Sequence, residues 1–311
     1  MCANNNKKAM LFIGNGFDLS LGYKTGYSDF YKKSILLRQY ANEGNELCKH
    51  IISNITGELW KDLECGLYQY SKQITRENGR GNKKIAESFK KDFEELKCAL
   101  FEYIKKVSGE SDRVGSIVES LIRQWKKIDL RCLSFNYTTS IALHINGGSA
   151  RLCFNNDDSI NTGVLIYRHG TLYNFKDACD NNPEDIVVGI DDSQKVELLH
   201  SFLYKTQQRV QYPTSDLVNV LNSKDVYIIY GCSMGDSDKF YFKTLFDPNA
   251  SNKCFIIYGF ENVGIANIKS AVRQFVGDLN LFESKNKVHY IDCSKPECIQ
   301  QTQEIIDSLP N

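Results

Sequence analysis

Four short segments of the chain combine residue types that can do chemistry. They are Gly14-Asn15-Gly16-Phe17-Asp18, Phe135-Asn136-Tyr137-Thr138, His169-Gly170, and Gly231-Cys232-Ser233-Met234-Gly235-Asp236-Ser237-Asp238. Glycines that end an apolar run let backbone amides approach a phosphate at a helix N-terminus, although any tight turn uses them equally well. The first segment is not G-x-G-x-x-G, because Leu19 holds the third glycine's place, and it lacks the Gly-Lys-Ser/Thr of a P-loop. Asp18 can bind a ribose hydroxyl or cap the next helix, and Asn136 can offer a ligand both a donor and an acceptor or likewise serve as a cap. His169 is one of five histidines and stands between an apolar run and a glycine. An imidazole there is either a general base or a structural residue.

Gly231 to Gly235 reads G-x-S-x-G, the spacing of a nucleophile elbow. Serine hydrolysis at Ser233 would need a downstream histidine. The only one is His289, flanked by Val288 and Tyr290 in a strand-like run. The segment therefore reads first as a second backbone cradle and second as a hydrolase site. No H-E-x-x-H occurs, the eleven cysteines contain no C-x-x-C pair, and Asp236-Ser237-Asp238 is explained by helix capping, so no metal is expected.

These segments each follow a short apolar run, which places them at strand ends. Ala9 to Ile13, Asp129 to Phe135, Val164 to Arg168, Ile186 to Ile190, Val226 to Tyr230, Cys254 to Tyr258 and Lys287 to Ile291 read as strands. Lys239 to Phe246, Ile265 to Phe275 and Glu297 to Leu309 have helical spacing. Short apolar runs joined by crossover helices predict a doubly wound α/β fold with a mainly parallel sheet. Between Thr25 and Ile128 the pattern is helical instead, clearest at Ile85, Phe89, Phe93, Leu96, Leu100, Tyr103 and Val107. Residues 1–26 and 129–311 are thus expected to form one α/β domain, with 27–128 as a helical insertion after the first strand. In open parallel sheets a ligand sits beyond the carboxyl ends of the strands, where all four segments fall.

The 311 residues carry 38 basic and 38 acidic side chains, with a pI near 6.9. Balanced charge gives no direct support for nucleic-acid binding and favours a small partner. No run is long enough to cross a bilayer or to form a signal-peptide core, and the scattered, odd number of cysteines does not form a disulfide framework. A reduced, cytoplasmic protein is expected.

Taken in order, the segments resemble the AbiH family of bacteriophage abortive-infection proteins. The resemblance rests on Ile13-Gly14-Asn15-Gly16-Phe17-Asp18-Leu19 with Thr25, Tyr27, Asp29 and Phe30, then Trp60-Lys61-Asp62-Leu63-Glu64, Phe135 to Thr138, His169-Gly170 and Tyr230 to Asp238. That family is in turn distantly similar to the sirtuin-like NAD-binding fold, a Rossmann-like domain. The resemblance implies an anti-phage effector that binds NAD and hydrolyses its nicotinamide–ribose bond, with Asn136 and His169 as the catalytic pair. Gly14, Asn15, Gly16, Asp18, Thr138, Gly231, Ser233 and Asp238 would hold the dinucleotide, and Trp60 with Glu64 would reach over it as a lid. Phe17 stands where sirtuin-like proteins have a small polar residue, and the absent cysteine pairs argue against a protein deacetylase. A nucleotide-binding sensor without turnover, within a defence complex, is the alternative. The insertion offers a surface for a second copy of the chain or a phage-derived trigger.

Overall fold

The computed structural model describes residues 8–54, 61–108, 116–138, 140–141, 165–167, 182–208, 221, 223–235 and 238–309. Six strands, β1 (Lys8–Ile13), β2 (Asp129–Ser134), β3 (Leu165–Tyr167), β4 (Val226–Tyr230), β5 (Cys254–Gly259) and β6 (Lys287–Asp292), form one sheet in the order β3-β2-β1-β4-β5-β6. Every neighbouring pair is parallel. The order reverses between β1 and β4, the position beyond whose carboxyl ends open α/β sheets hold their ligands.

The helices are α1 (Asn15–Ser20), α2 (Tyr27–Lys33), α3 (Ile35–Asn42), α4 (Glu46–Asn54), α5 (Lys61–Asn78), α6 (Lys83–Val107), α7 (Ile117–Trp125), the four-residue α8 (Lys205–Gln208), α9 (Lys239–Leu245), α10 (Glu261–Val276), α11 (Leu279–Lys285) and α12 (Glu297–Ser308). Strand residues alternate between two covers because side chains have period two. Leu11, Ile228 and Ile256 face α1, α7 and α12, whereas Phe12, Ile229 and Ile257 face α9, α10 and α11. None of the helices among the described residues is long and apolar enough to cross a membrane.

A third apolar cluster gathers α2 to α6 around Phe89, Phe93 and Leu100, at the helical spacing read from the sequence. Although α7 falls within 27–128, Val118, Leu121, Ile122 and Trp125 bury into the sheet's core, and the Trp125 indole donates to the Tyr258 hydroxyl at 3.1 Å. Ser116 and Glu119 form a capping box that fixes where this helix begins.

The run Ile186 to Ile190 is not a strand of the sheet, contrary to the sequence expectation. Ile186, Val188 and Ile190 are buried in the helical cluster. Side chains replace the missing ladder: the Tyr137 hydroxyl donates to the Val187 carbonyl at 3.0 Å, and the Gln208 carboxamide both accepts from the Val188 N–H and donates to its carbonyl. An apolar run with its backbone satisfied in this way can be buried without a sheet. A further helix, α11, follows the break at Gly277, whose φ of 74° ends α10.

Candidate functional site

One rung of hydrogen-bonded register crosses the sheet through Tyr167, Ser134, Ile13, Tyr230 and Tyr258. Two positions further along the chain come Asn136 after β2, Asn15 at the start of α1, Cys232 after β4 and Phe260 after β5. The sheet thus brings three of the sequence segments into one row at its carboxyl edge. His169 follows Tyr167 by two positions in sequence and lies outside the described residues, as do Gly170 and Trp60.

The glycines are engaged with one another. The Gly14 N–H donates to the Tyr230 carbonyl and the Gly16 N–H to the Gly231 carbonyl, each at 3.0 Å, while the Phe17 N–H donates to the Gly14 carbonyl at 2.9 Å. A β carbon on Gly14 would lie 2.4 Å from the Gly231 oxygen, and one on Gly231 would lie 2.5 Å from the Phe17 nitrogen. Gly231 also takes φ 68°, which a larger residue resists. These glycines let the β1 and β4 loops interlock, and the amides of Gly14 and Gly16 are already used within the protein. Asn15 Oδ1 accepts from Thr25 at 2.6 Å, leaving its buried Nδ2 without a partner.

Asp18 neither caps α1, whose N-cap is Gly14, nor faces solvent. It is 1% exposed and accepts from the Thr138 hydroxyl at 2.7 Å and from the Ser140 hydroxyl. Burial pushes its carboxyl up to about 6, against the hydrogen bonds from Ser140, Thr138 and Asn136 that favour the charged form. Thr138 is therefore a support for Asp18, and Ser140 completes the support. The only sequence signal for Ser140 was a run of three hydroxyl residues, Thr138-Thr139-Ser140.

Asn136 is 4% exposed, and neither its Oδ1 nor its Nδ2 meets a partner at full hydrogen-bonding geometry among the described residues, although the carboxamide lies close enough to Asp18 to help hold its charge. Its neighbours fix it from both sides. Phe135 is buried in the core beneath the sheet, and Tyr137 is buried in the helical cluster.

Tyr137 joins the insertion to the crevice. Burial raises its phenol well above the usual range, with the Glu64 charge adding to the rise and a hydrogen bond with Tyr27 opposing it. Glu64 accepts from the Lys205 ammonium at 2.6 Å, and that ammonium side chain is only 4% exposed. The insertion's Tyr27 and Glu64 thus lie near the carboxyl end of β2. Tyr27 was marked only as part of the family resemblance, with no role attached, and nothing in the sequence marked Lys205.

Ser233 is exposed, between Cys232 and a buried Met234 held at φ 52°. His289 lies within β6 opposite Ile256, so the two sequence elements of a serine hydrolase stand on different strands, with β5 between them. Burial raises the Cys232 thiol well above its usual range, and the Asp238 charge adds to the rise. His200 is buried against α5 and α6, with Nδ1 2.9 Å from the Ser71 hydroxyl and its ring edge-on to Phe89. Among the described residues no cluster of three or more His, Cys, Asp or Glu is arranged to hold a metal.

An all-parallel six-stranded sheet in the order β3-β2-β1-β4-β5-β6, covered by helices, defines the class: a Rossmann-like α/β protein. The family model for bacteriophage abortive infection AbiH matches residues 10–260, and the chain belongs to that family. The matched span includes the whole insertion and every crevice residue from Gly14 to Phe260. No curated protein matches the chain.

Proposed function

We propose that the crevice binds NAD and hydrolyses its nicotinamide–ribose bond, so that the protein acts in abortive infection by depleting the cell's NAD. The observation that supports this most is the Asn136 carboxamide, buried just beyond β2, whose Oδ1 meets no partner among the described residues and whose only polar neighbour among them is the Asp18 carboxylate, short of full hydrogen-bonding geometry. Leaving such a group unsatisfied costs roughly 1–3 kcal/mol, which a ligand's hydroxyl or a held water would offset.

In this reading Asn136 orients the attacking water or the ribose hydroxyls, and His169 takes the proton. The water oxygen bonds to C1′ as the C1′–N bond breaks, and the electron pair leaves on the pyridine nitrogen of neutral nicotinamide. The products are nicotinamide and ADP-ribose. The transition state is oxocarbenium-like, so holding water on the far face of the sugar lowers the barrier. Asp18 acts one step back, fixing the 136–140 segment through Thr138 and Ser140. With the Gly14 and Gly16 amides engaged, the pyrophosphate would lie against the outer groups, Ser233 and the rim of the β4 loop, with Asp238 near a ribose. Glu64 and Trp60 would close over the crevice from the insertion.

The test is incubation of the full chain with NAD, with and without phage-infected lysate, followed by chromatography for nicotinamide and ADP-ribose. Absence of product under both conditions overturns the enzyme. Binding of NAD without turnover establishes the sensor instead. Turnover that survives both Asn136→Ala and His169→Ala overturns the site.

A further inference from the structure

The row of residues beyond the shared rung ends in an aromatic side chain. Phe260 is 63% exposed, and Val263, three positions into the turn that begins α10, is 69% exposed. Of the exposed large apolar residues described, only these two stand within one helical turn of each other. Single apolar side chains on a surface are ordinary, but Phe260 and Val263 form an exposed pair next to the carboxyl end of β5, and neither belongs to an apolar cluster of the described residues.

The turn that presents them is rigid. Glu261 takes φ 60°, its N–H donates to Asp292 Oδ1 at 2.9 Å, and the Cys293 N–H donates to the Gly259 carbonyl at 2.8 Å. A β carbon on Gly259 would lie 2.8 Å from the Ile265 nitrogen, so α10 starts hard against the strand end. Phe260 itself is extended, with φ −102° and ψ 114°, and prolongs the line of β5 past the crevice edge. Its ring is therefore presented from a fixed backbone, which lowers the entropy lost when a planar group stacks on it.

From β2 to β5 there are three inter-strand steps, or about 14 Å. A mononucleotide seated at Asn136 cannot reach Phe260, whereas an extended dinucleotide can. We infer that Phe260 and Val263 form the stacking platform for the base remote from Asn136, so that the crevice selects a dinucleotide over a mononucleotide. This rests on the NAD reading and assigns the adenine end of the ligand.

The experiment compares wild type, Phe260→Ala and Phe260→Tyr by calorimetric binding of NAD, ADP-ribose and nicotinamide mononucleotide, and by steady-state cleavage. Phe260→Ala is expected to weaken NAD and ADP-ribose about tenfold and to raise KM for NAD with kcat unchanged, from the loss of one base–aromatic stack. Nicotinamide mononucleotide should bind the variant as it binds wild type, and Phe260→Tyr should restore NAD affinity. Thermal midpoints should stay together, because the ring is exposed. Unchanged NAD affinity in Phe260→Ala, or an equal loss for nicotinamide mononucleotide, overturns the platform and leaves the NAD reading standing. A wild type that neither binds nor cleaves NAD overturns both.

Discussion

The loops after β1 and β2 sit side by side at the same edge of the sheet, and both looked like ligand sites in sequence, yet they are built in opposite ways. In the β1 loop, Gly14 and Gly16 close against Gly231 with their N–H groups bonded within the protein. In the segment after β2, Asn136 is equally enclosed, but its carboxamide meets no partner at full hydrogen-bonding geometry among the described residues and has only Asp18 beside it. The first is a joint between two halves of the sheet, and the second is the polar group on which the proposed site rests. Glycine content therefore marked where the chain must come close to itself. Four experiments test that contrast.

The largest effect should come from the joint. Gly14→Ala or Gly231→Ala places a β carbon within 2.4–2.5 Å of backbone atoms. Stability measured by denaturant unfolding should fall by about 4 kcal/mol or more. If either variant folds normally and loses only ligand affinity, the loop is a cradle after all.

Asn136→Ala should do the reverse. Cleavage should fall at least about 100-fold, while stability stays level or rises by about 1 kcal/mol because a buried unsatisfied amide is removed. A loss of stability comparable to that of the glycine variants would make Asn136 a structural residue.

Asp18 sharpens the same contrast through pH. Its folded carboxyl titrates near 6 against 3.8 unfolded, so between those values the folded state holds the extra proton. Stability from this group is therefore present below about pH 4 and is lost as pH rises toward 6, by roughly 3 kcal/mol. Asp18→Asn should remove that slope, and the difference between the two pH–stability curves isolates it from other carboxylates. Parallel curves would mean that Asp18 is not the buried acid described.

The smallest effect is expected at the contact between insertion and crevice. Glu64→Ala strands the Lys205 ammonium, which is 4% exposed, and should cost about 2 kcal/mol. The double variant with Lys205→Met should recover most of it in thermal unfolding. No recovery would mean that Glu64 acts through something other than this pair.

Much of the fold was legible in the chain. β1, β4 and β5 are short, buried apolar runs that end at or just before a glycine, and central parallel strands covered on both faces look that way, whereas β2 and the edge strand β6 mix in polar residues. The helical spacing of α6 is equally direct. The run at 186–190 misled for a physical reason: apolar content reports burial, and its hydrogen bonds come from the Tyr137 and Gln208 side chains and from a single parallel bridge between Ile190 and Tyr204 outside the sheet. The same limit applies to α7, whose amphipathic pattern cannot say whether it faces the sheet or the insertion. Its residues Leu121 and Trp125 answer by packing on the sheet.

The site divides in the same manner. Sequence alone determined which residue types gather at the strand ends, because a doubly wound sheet places every strand's carboxyl end on one edge. Only the tertiary structure decided what each does. Asp18 and Ser140 are 122 positions apart, Gly14 meets Gly231 across the switch point, and Lys205 reaches Glu64 from 141 positions away. A carboxyl's acidity, a glycine's necessity and an amide's lack of a partner are properties of the neighbours that folding supplies, and no local pattern encodes them.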